Sequence, residues 1–222
     1  MEILDVTSYN KIYNMNESLT LKLDENYLIT HSKELKSRDF LWNTITEYKV
    51  SRYLQKNFYN NTNAKLFADL VQNNGDFELD NKTWELKENK GSLSSGYLSL
   101  EVINTRYRKA SGLLRSALDR VDYFAVYLPS YSNFNKRHKK VKDKLIVFNT
   151  KDLYEWVISQ DEIKAENNKE IYSNALCYKI PVKYITDSAS FSELIIQEYD
   201  IPEEDIKEIK VPREIYGLFE KE

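Results

Sequence analysis

Residues 64–90 read AKLFADLVQNNGDFELDNKTWELKENK, and this stretch decides which fold the sequence predicts. An apolar run carries Asp69, a turn-rich gap follows, and a second run carries Glu85 and Lys87 two positions apart. Both runs have the composition of neighbouring β-strands. Because side chains alternate along a strand, we expect Glu85 and Lys87 on one face and Leu86 on the other.

This set of side chains predicts a phosphodiester-cleaving site. Two carboxylates, here Asp69 and Glu85, can hold a hard divalent cation, because Mg²⁺ takes one or two carboxylates together with water and phosphate oxygens. A lysine beside them, here Lys87, can orient an attacking water or neutralise charge that develops on a phosphate.

The pattern of acid, gap, acid-x-lysine resembles the active site of the PD-(D/E)XK nuclease superfamily, the fold of many restriction endonucleases and some Holliday-junction resolvases. Asp69 would be the first acid, and Ala68 stands where a proline often precedes it. The resemblance implies an α/β restriction-endonuclease-like core, with a central mixed β-sheet flanked by helices. It also implies a Mg²⁺-dependent DNA endonuclease, with Mn²⁺ as a substitute, in which Asp69 and Glu85 hold the metal beside the backbone carbonyl of Leu86.

Residues 39–58 upstream predict a helix with Asp39 as its N-cap. At about 100° per residue, Glu47 lies between Leu54 and Phe58 in an apolar stripe, where a carboxylate is costly unless it finds a partner. Many members of the superfamily carry an acid on a helix before the sheet, which would make Glu47 a further catalytic residue. The alternative is an acid at the edge of the stripe, neutralised by a nearby basic residue or by solvent.

The downstream segments resemble those that follow the acid-x-lysine triplet in phage and restriction-type members. A strand over 96–102 carries Glu101, which could accept a water or a second metal, or could pair with Arg106. A Ser-Gly turn at 111–112 precedes the next strand, and Thr150 is expected to cap a later helix. The resemblance covers roughly residues 39–186.

The chain is therefore divided into three parts. Residues 1–38 form an N-terminal extension with strand-like alternation, 39–186 the nuclease core, and 187–222 an acidic helical segment packed on the core. Within the last part, Ser190 and Glu193 have the spacing of a capping box, so 188–199 are expected to be helical. Residues 91–96, GSLSSG, are expected to form a flexible loop beside the catalytic strand.

The net charge of −3 conceals a strong asymmetry. From 82 to 144 the chain has fourteen Lys and Arg against six Asp and Glu, whereas from 152 onward it has eight against seventeen. A basic segment is typical of a surface that contacts phosphates. The candidate DNA-binding residues are Arg106, Arg108, Lys109, Arg115 and Arg120, with Lys136 and Arg137 in the basic loop that follows. The alternative is a solvated basic surface paired with the acidic C-terminal part.

The composition also argues against several other functional classes of protein. Five glycines without a phosphate-loop pattern argue against a nucleotide cofactor, and two distant histidines with one cysteine argue against a zinc site. No apolar run of membrane-spanning length occurs and MEILDVTSYNK lacks the features of a signal peptide, so we expect a cytoplasmic protein without a membrane partner.

Three further expectations concern substrate and assembly. The partner is DNA, and a homodimer is expected because one active site serves one strand. The sequence leaves open a restriction enzyme, a phage replication nuclease and a resolvase of branched DNA. It also leaves open a nucleic-acid-binding protein that keeps the fold without catalysis.

Overall fold

The computed structural model describes residues 39–60, 64–66, 75–89, 92–105, 109–129, 142–161, 163, 165–167 and 175–211. The helices are α1 (Asp39–Asn57), α2 (Ser92–Ser95), α3 (Gly112–Leu118), α4 (Thr150–Ser159), α5 (Tyr184–Asp187), α6 (Ala189–Ser192) and α7 (Glu203–Glu208). The strands are β1 (Ala64–Leu66), β2 (Phe77–Leu79), β3 (Lys82–Glu88), β4 (Tyr97–Asn104), β5 (Lys109–Ala110), β6 (Tyr123–Leu128), β7 (Asp143–Asn149), β8 (Ala165–Asn167), β9 (Ala175–Pro181) and β10 (Ile195–Ile201).

Six strands form a mixed sheet in the order β1-β2-β3-β6-β7-β10. The central pair, β3 and β6, is parallel, and the other neighbouring pairs are antiparallel. A second sheet of four antiparallel strands has the order β5-β4-β9-β8. The predicted α/β architecture with a central mixed sheet flanked by helices is confirmed.

Helix α1 covers one face of the six-stranded sheet. Val50 and Leu54 of α1 pack with Phe77 and Leu79 of β2 and with Trp84 of β3 in one buried cluster. The apolar stripe predicted for this helix explains the contact, since burying such a stripe is what holds an amphipathic helix on a sheet. This packing fixes α1 beside β2 and beside β3, the strand that carries Glu85 and Lys87.

Helices α3 and α4 cover the opposite face, together with the second sheet. Leu113 of α3 and Leu153 of α4 belong to a buried cluster with Phe124 of β6 and Phe148 of β7. Leu100 of the second sheet joins the same cluster. The second sheet is therefore packed onto the core and not separated from it as a domain.

The prediction of a helix over 188–199 is wrong beyond its first turn. Helix α6 ends at Ser192, and the chain continues as β10, which pairs with β7. Tyr199 and Ile201 are buried and alternate with exposed positions, which is the period of a strand. The cap is Ser188, whose hydroxyl accepts from Phe191 N, and not Ser190.

Some of the other predictions of local secondary structure are confirmed, and others are wrong. The strand predicted around Glu85 and Lys87 is present as β3, the helix predicted over 39–58 as α1, and the later helix expected near Thr150 as α4. The cap of α4 is Asn149, which accepts from the backbone of 151 and 152, and not Thr150. Residues 91–96, predicted to be a loop, contain the single-turn α2, which begins where Ser92 Oγ donates to Asn89 Oδ1.

Two lysines of the basic segment pair with the acidic C-terminal part. Lys144 of β7 forms ion pairs with Glu198 and Asp200 of the neighbouring strand β10, and Lys142 lies 3.9 Å from Asp200. For these two lysines the structure supports the alternative of a basic surface paired with acids.

By length and hydropathy, a bilayer-spanning helix does not occur among the described residues. The predicted strands of residues 1–38 lie outside the described residues.

Candidate active site

Strand β3 presents Glu85 and Lys87 on one face, as predicted. Lys87 Nζ lies 2.6 Å from Glu85 Oε1, and the two side chains are 38% and 14% exposed. Trp84 and Leu86 point to the other face and are buried under α1. Glu85 is registered with Phe124 of the parallel strand, so it shares the face of the sheet on which α3 packs.

A further acid, Asp76, is held directly against this strand. Asp76 precedes β2, and its backbone N donates to Trp84 O at 2.7 Å. Its side chain Oδ2 accepts a second bond of 2.7 Å from the backbone N of Leu86, the residue between Glu85 and Lys87. The carboxylate of Asp76 is thus fixed beside the acid-x-lysine triplet.

Gly75 makes this approach possible. Its φ is +98°, and a Cβ atom placed there would lie 2.5 Å from Trp84 O. Only glycine combines such a φ with such a close approach of two backbones. Sequence reasoning missed Asp76 because NNGD reads as a turn; the glycine directly before an acid and a strand was the available signal.

Helix α1 contributes Glu47 to the same group. The pKa of Glu47 is raised well above its ordinary value by burial and by the negative charges of Asp76 and Glu85, with Lys87 acting in the opposite direction. These electrostatic interactions indicate that Glu47 lies near the other three side chains. We call Glu47, Asp76, Glu85 and Lys87 the acidic cluster.

The acidic cluster carries more negative than positive charge in a poorly solvated place. Burial and the charge of Glu85 raise the pKa of Asp76 to about 7, although Lys87 and the bond from Leu86 N lower it. Burial lowers the pKa of Lys87, but the fields of Glu85, Asp76 and Glu47 and the bond to Glu85 outweigh it, so its pKa is raised and it stays cationic. Such a site is stabilised by an added positive charge.

The donor set fits a hard divalent cation. Asp76 lies directly before β2 and Glu85 lies on the neighbouring strand β3, and one or two carboxylates are what Mg²⁺ commonly takes from a protein. The resemblance implies that the backbone carbonyl of Leu86 lies beside the metal. In the structure the backbone N–H of Leu86 donates a hydrogen bond to Asp76. Among the described residues, a group of three or more His, Cys, Asp or Glu side chains in a metal-binding arrangement does not occur.

A pocket of about 190 Å³ opens beside the acidic cluster, between β3 and α3. Its lining consists of Gly75, Asp76, Glu85, Arg115, Ser116, Asp119 and Val121. The pocket brings Arg115, predicted as a DNA-binding residue, to the same place as Glu85, predicted as a metal ligand.

Glu101 is not brought to this site. It lies on β4 in the second sheet, where its side chain accepts a hydrogen bond from Ser111 Oγ, directly before α3. Its charge acts on the buried thiol of Cys177 on the paired strand and contributes to raising the pKa of that thiol, after burial itself. The geometry gives Glu101 a role in joining β4 to α3.

The remaining predicted residues fall into two groups. Lys109 is exposed on β5, and Arg120 is exposed in the turn after α3. Asp69, Arg106, Arg108, Lys136 and Arg137 lie outside the described residues, so their assignments stay predictions.

Comparisons with protein-family models, with curated proteins and with solved structures found no match to this chain.

Proposed function

We propose that the chain is a Mg²⁺-dependent DNA endonuclease of the PD-(D/E)XK kind, whose active site is the acidic cluster. The observation that carries the proposal is the bond from Leu86 N to Asp76 Oδ2, because it fixes an acid beside Glu85 and Lys87. In this assignment Asp76 takes the role of the first acid, for which the sequence suggested Asp69. Glu47 of α1, Asp76 directly before β2 and the acid-x-lysine triplet of β3 then lie near one another.

Each member of the acidic cluster has a distinct role in the proposal. Asp76 and Glu85 would hold the cation, which would polarise the scissile phosphate and lower the pKa of a bound water. Lys87 remains positively charged, so it orients the attacking water and stabilises charge on the phosphate. Glu47, protonated more readily than an ordinary glutamate, can accept or pass on a proton near that water.

Nucleic acid is the phosphodiester substrate that fits the charge pattern. Fourteen basic residues occur between 82 and 144, the part of the sequence that contains Glu85, Lys87 and the pocket-lining Arg115. Such a field attracts a polyanion to the face where the acidic cluster opens. A homodimer would place two such sites on the two strands of a duplex.

The decisive experiment incubates supercoiled plasmid and a branched DNA with the protein in Mg²⁺, in Mn²⁺, in Ca²⁺ and in excess EDTA. We expect cleavage in Mg²⁺ and Mn²⁺, and binding with little turnover in Ca²⁺. In EDTA we expect no cleavage of either the plasmid or the branched DNA. The ratio of plasmid to branched-DNA cleavage distinguishes an endonuclease of duplex DNA from a junction resolvase.

Three isosteric variants locate the first acid. Asp76→Asn should reduce Mg²⁺-dependent cleavage by about 10²-fold or more, because it removes a ligand charge while keeping the acceptor for Leu86 N. Asp80→Asn is the matched control, since Asp80 is an exposed acid at the other end of the β2–β3 hairpin. Full activity in Asp76→Asn together with loss in Asp69→Asn would return the role to Asp69, and activity in EDTA would contradict the mechanism.

A further inference from the structure

The pocket beside the acidic cluster has two chemically different walls. One wall holds Asp76 and Glu85, and the other is formed by α3 and the turn after it, with Arg115 and Asp119. Arg115 is the one cation among the seven lining residues. Ser116 also lines the pocket, but its hydroxyl donates its proton to Gly112 O at 2.9 Å. The side chain of this wall that can bind an anion is therefore Arg115.

Arg115 is held in place by its own helix. Its Nε bonds to the carboxylate of Asp119 one turn later, and Asp119 in turn donates its backbone N–H to Arg115 O at 2.9 Å. A guanidinium carries five N–H donors in a planar fork that matches the oxygens of a phosphate. Fixing one edge of that fork orients the guanidinium and lowers the entropy lost when it binds an anion.

We propose that this pocket is the subsite for a phosphate of the bound DNA strand, and that Arg115, oriented by Asp119, is the residue that binds it. The inference rests on the proposed function, because the opposite wall is the metal-binding pair. It makes Arg115 a substrate-binding residue and Asp119 its positioning residue, beyond the general basic character of the segment.

The charges of the pocket give the proposal a distinctive consequence. Three lining carboxylates and one guanidinium leave a net charge of −2 when all are ionised, so the metal-free pocket repels a phosphate. A divalent cation on Asp76 and Glu85 cancels that charge. Arg115 should therefore contribute to DNA affinity only when a divalent cation is present, unlike an ordinary surface arginine.

The competing interpretation is that Arg115 and Asp119 form a helix-stabilising ion pair and nothing more. Arg115 is 49% exposed, and an exposed pair with this spacing contributes little to stability. That interpretation predicts no effect of Arg115 on DNA binding in either condition.

The test measures the affinity of the full chain for a short fluorescein-labelled duplex by anisotropy, in Ca²⁺ and in EDTA, over a range of salt concentrations. Arg115→Gln should weaken binding in Ca²⁺ by about 10-fold and reduce the salt slope by about one, the change expected for one lost phosphate contact. In EDTA the same variant should bind within about twofold of the unmodified protein, because the metal-free pocket repels a phosphate and the contact with Arg115 is not made.

Two further variants control for charge and folding. Lys151→Gln removes the same charge from an exposed helix residue that also pairs with an acid four positions later, Glu155, but lies outside the pocket and outside the basic segment. Its effect should be small and equal in both conditions. Arg115→Lys keeps the charge but loses the fork, so it should bind with intermediate affinity in Ca²⁺. Thermal unfolding of each variant verifies that it is folded.

The outcomes separate the two proposals. If Arg115→Gln binds like Lys151→Gln, or loses the same affinity in EDTA as in Ca²⁺, the subsite is wrong even if the protein cleaves DNA. If the protein does not cleave DNA in Mg²⁺ but Arg115→Gln shows the Ca²⁺-dependent loss, the subsite stands and the catalytic proposal fails. Equal DNA affinity of the unmodified protein in Ca²⁺ and EDTA would also overturn the subsite.

Discussion

Gly75 is the residue on which the position of Asp76 depends. Its φ of +98° and the 2.5 Å from a hypothetical Cβ to Trp84 O are incompatible with any side chain. Gly75→Ala would displace the start of β2 from β3 and weaken the bond between Leu86 N and Asp76 Oδ2.

Gly96→Ala provides the matched comparison for Gly75→Ala. Gly96 also has a positive φ, +75°, but a Cβ placed there meets no atom within 4 Å. Both variants should lose about 1–2 kcal/mol of unfolding free energy from backbone strain. Gly75→Ala should lose a further ~1–3 kcal/mol from overlap, together with Mg²⁺-dependent cleavage. Urea unfolding measures the difference, and equal losses would show that Gly75 does not control the site.

Lys87 and Glu85 are adjacent on one face of β3, but substitutions of the two residues should have different effects on cleavage and DNA binding. Lys87→Ala should lower cleavage by roughly 10²-fold, the scale of one lost transition-state contact, while DNA binding in Ca²⁺ persists. Glu85→Gln should lose cleavage and the Ca²⁺-dependent part of DNA binding together, because it removes a metal ligand. Steady-state cleavage and anisotropy distinguish the two, and small, equal losses would place the active site elsewhere.

The sequence predicts those members of the acidic cluster that lie in segments with a clear hydrophobic periodicity. Glu85 and Lys87 follow from strand alternation, and Glu47 from its place in a helical stripe. Asp76 did not follow, because its position depends on a backbone approach between residues that the sequence separates by a turn. The close approach of Gly75 to the backbone of Trp84, and the two hydrogen bonds of Asp76 to β3, bring it to the triplet.

The parallel pairing of β3 with β6 is the element that fixes the register of the site. At its start, Asp122 accepts from Thr83 N at 2.9 Å, from Thr83 Oγ1 at 3.0 Å and from Lys82 Nζ at 3.0 Å. Partial burial raises the pKa of Asp122, but the bonds from Thr83 and Lys82 outweigh it and the pKa is lowered. The ionised carboxylate therefore stabilises the folded state.

Asp122→Asn should lower the free energy of unfolding at pH 7 by about 1–2 kcal/mol, the range for partly exposed hydrogen bonds to a charged group. The folded pKa lies below the unfolded value of 3.8, so this contribution is fully present above about pH 4 and is lost as pH falls through the folded pKa. Denaturant unfolding at pH 7 and near pH 3.5 measures it. A difference between the two proteins that grows toward low pH would contradict this role.

The sequence-based assignment is wrong for elements whose formation depends on contacts with residues distant in the sequence. SELII favoured a helix through its local Ser-x-x-Glu signal, but β10 forms because it pairs with β7 and buries Tyr199 and Ile201. Ser111 and Gly112 predict a turn, whereas helix α3 begins at Gly112 and buries Leu113 under the sheet. In both segments tertiary packing overrides a weak local preference.

At the scale of the whole molecule, the ionised carboxylate of Asp76 opposes the stability of the fold. Burial and the charge of Glu85 raise the pKa of Asp76 to about 7, so its ionised form destabilises the folded protein relative to the unfolded chain. Stability from this group is lost as pH rises from about 4 through 7, and the loss is complete at pH 8. A cation that binds only the folded state would restore it.

The order of thermal stabilities should therefore reverse with metal. At pH 8 in EDTA, Asp76→Asn should unfold at a higher temperature than the unmodified protein, because a buried charge is removed while the bond from Leu86 N is kept. With Mg²⁺ at about 100 times its dissociation constant, the unmodified protein should gain ~2.7 kcal/mol, or roughly 5–10 °C, and become the more stable of the two. Asp80→Asn, which lacks a part in the acidic cluster, should follow the unmodified protein in both conditions. Calorimetric scans of the three proteins measure these shifts, and an unmodified protein whose unfolding temperature is the same in Mg²⁺ and EDTA would show that Asp76 and Glu85 do not form a metal site.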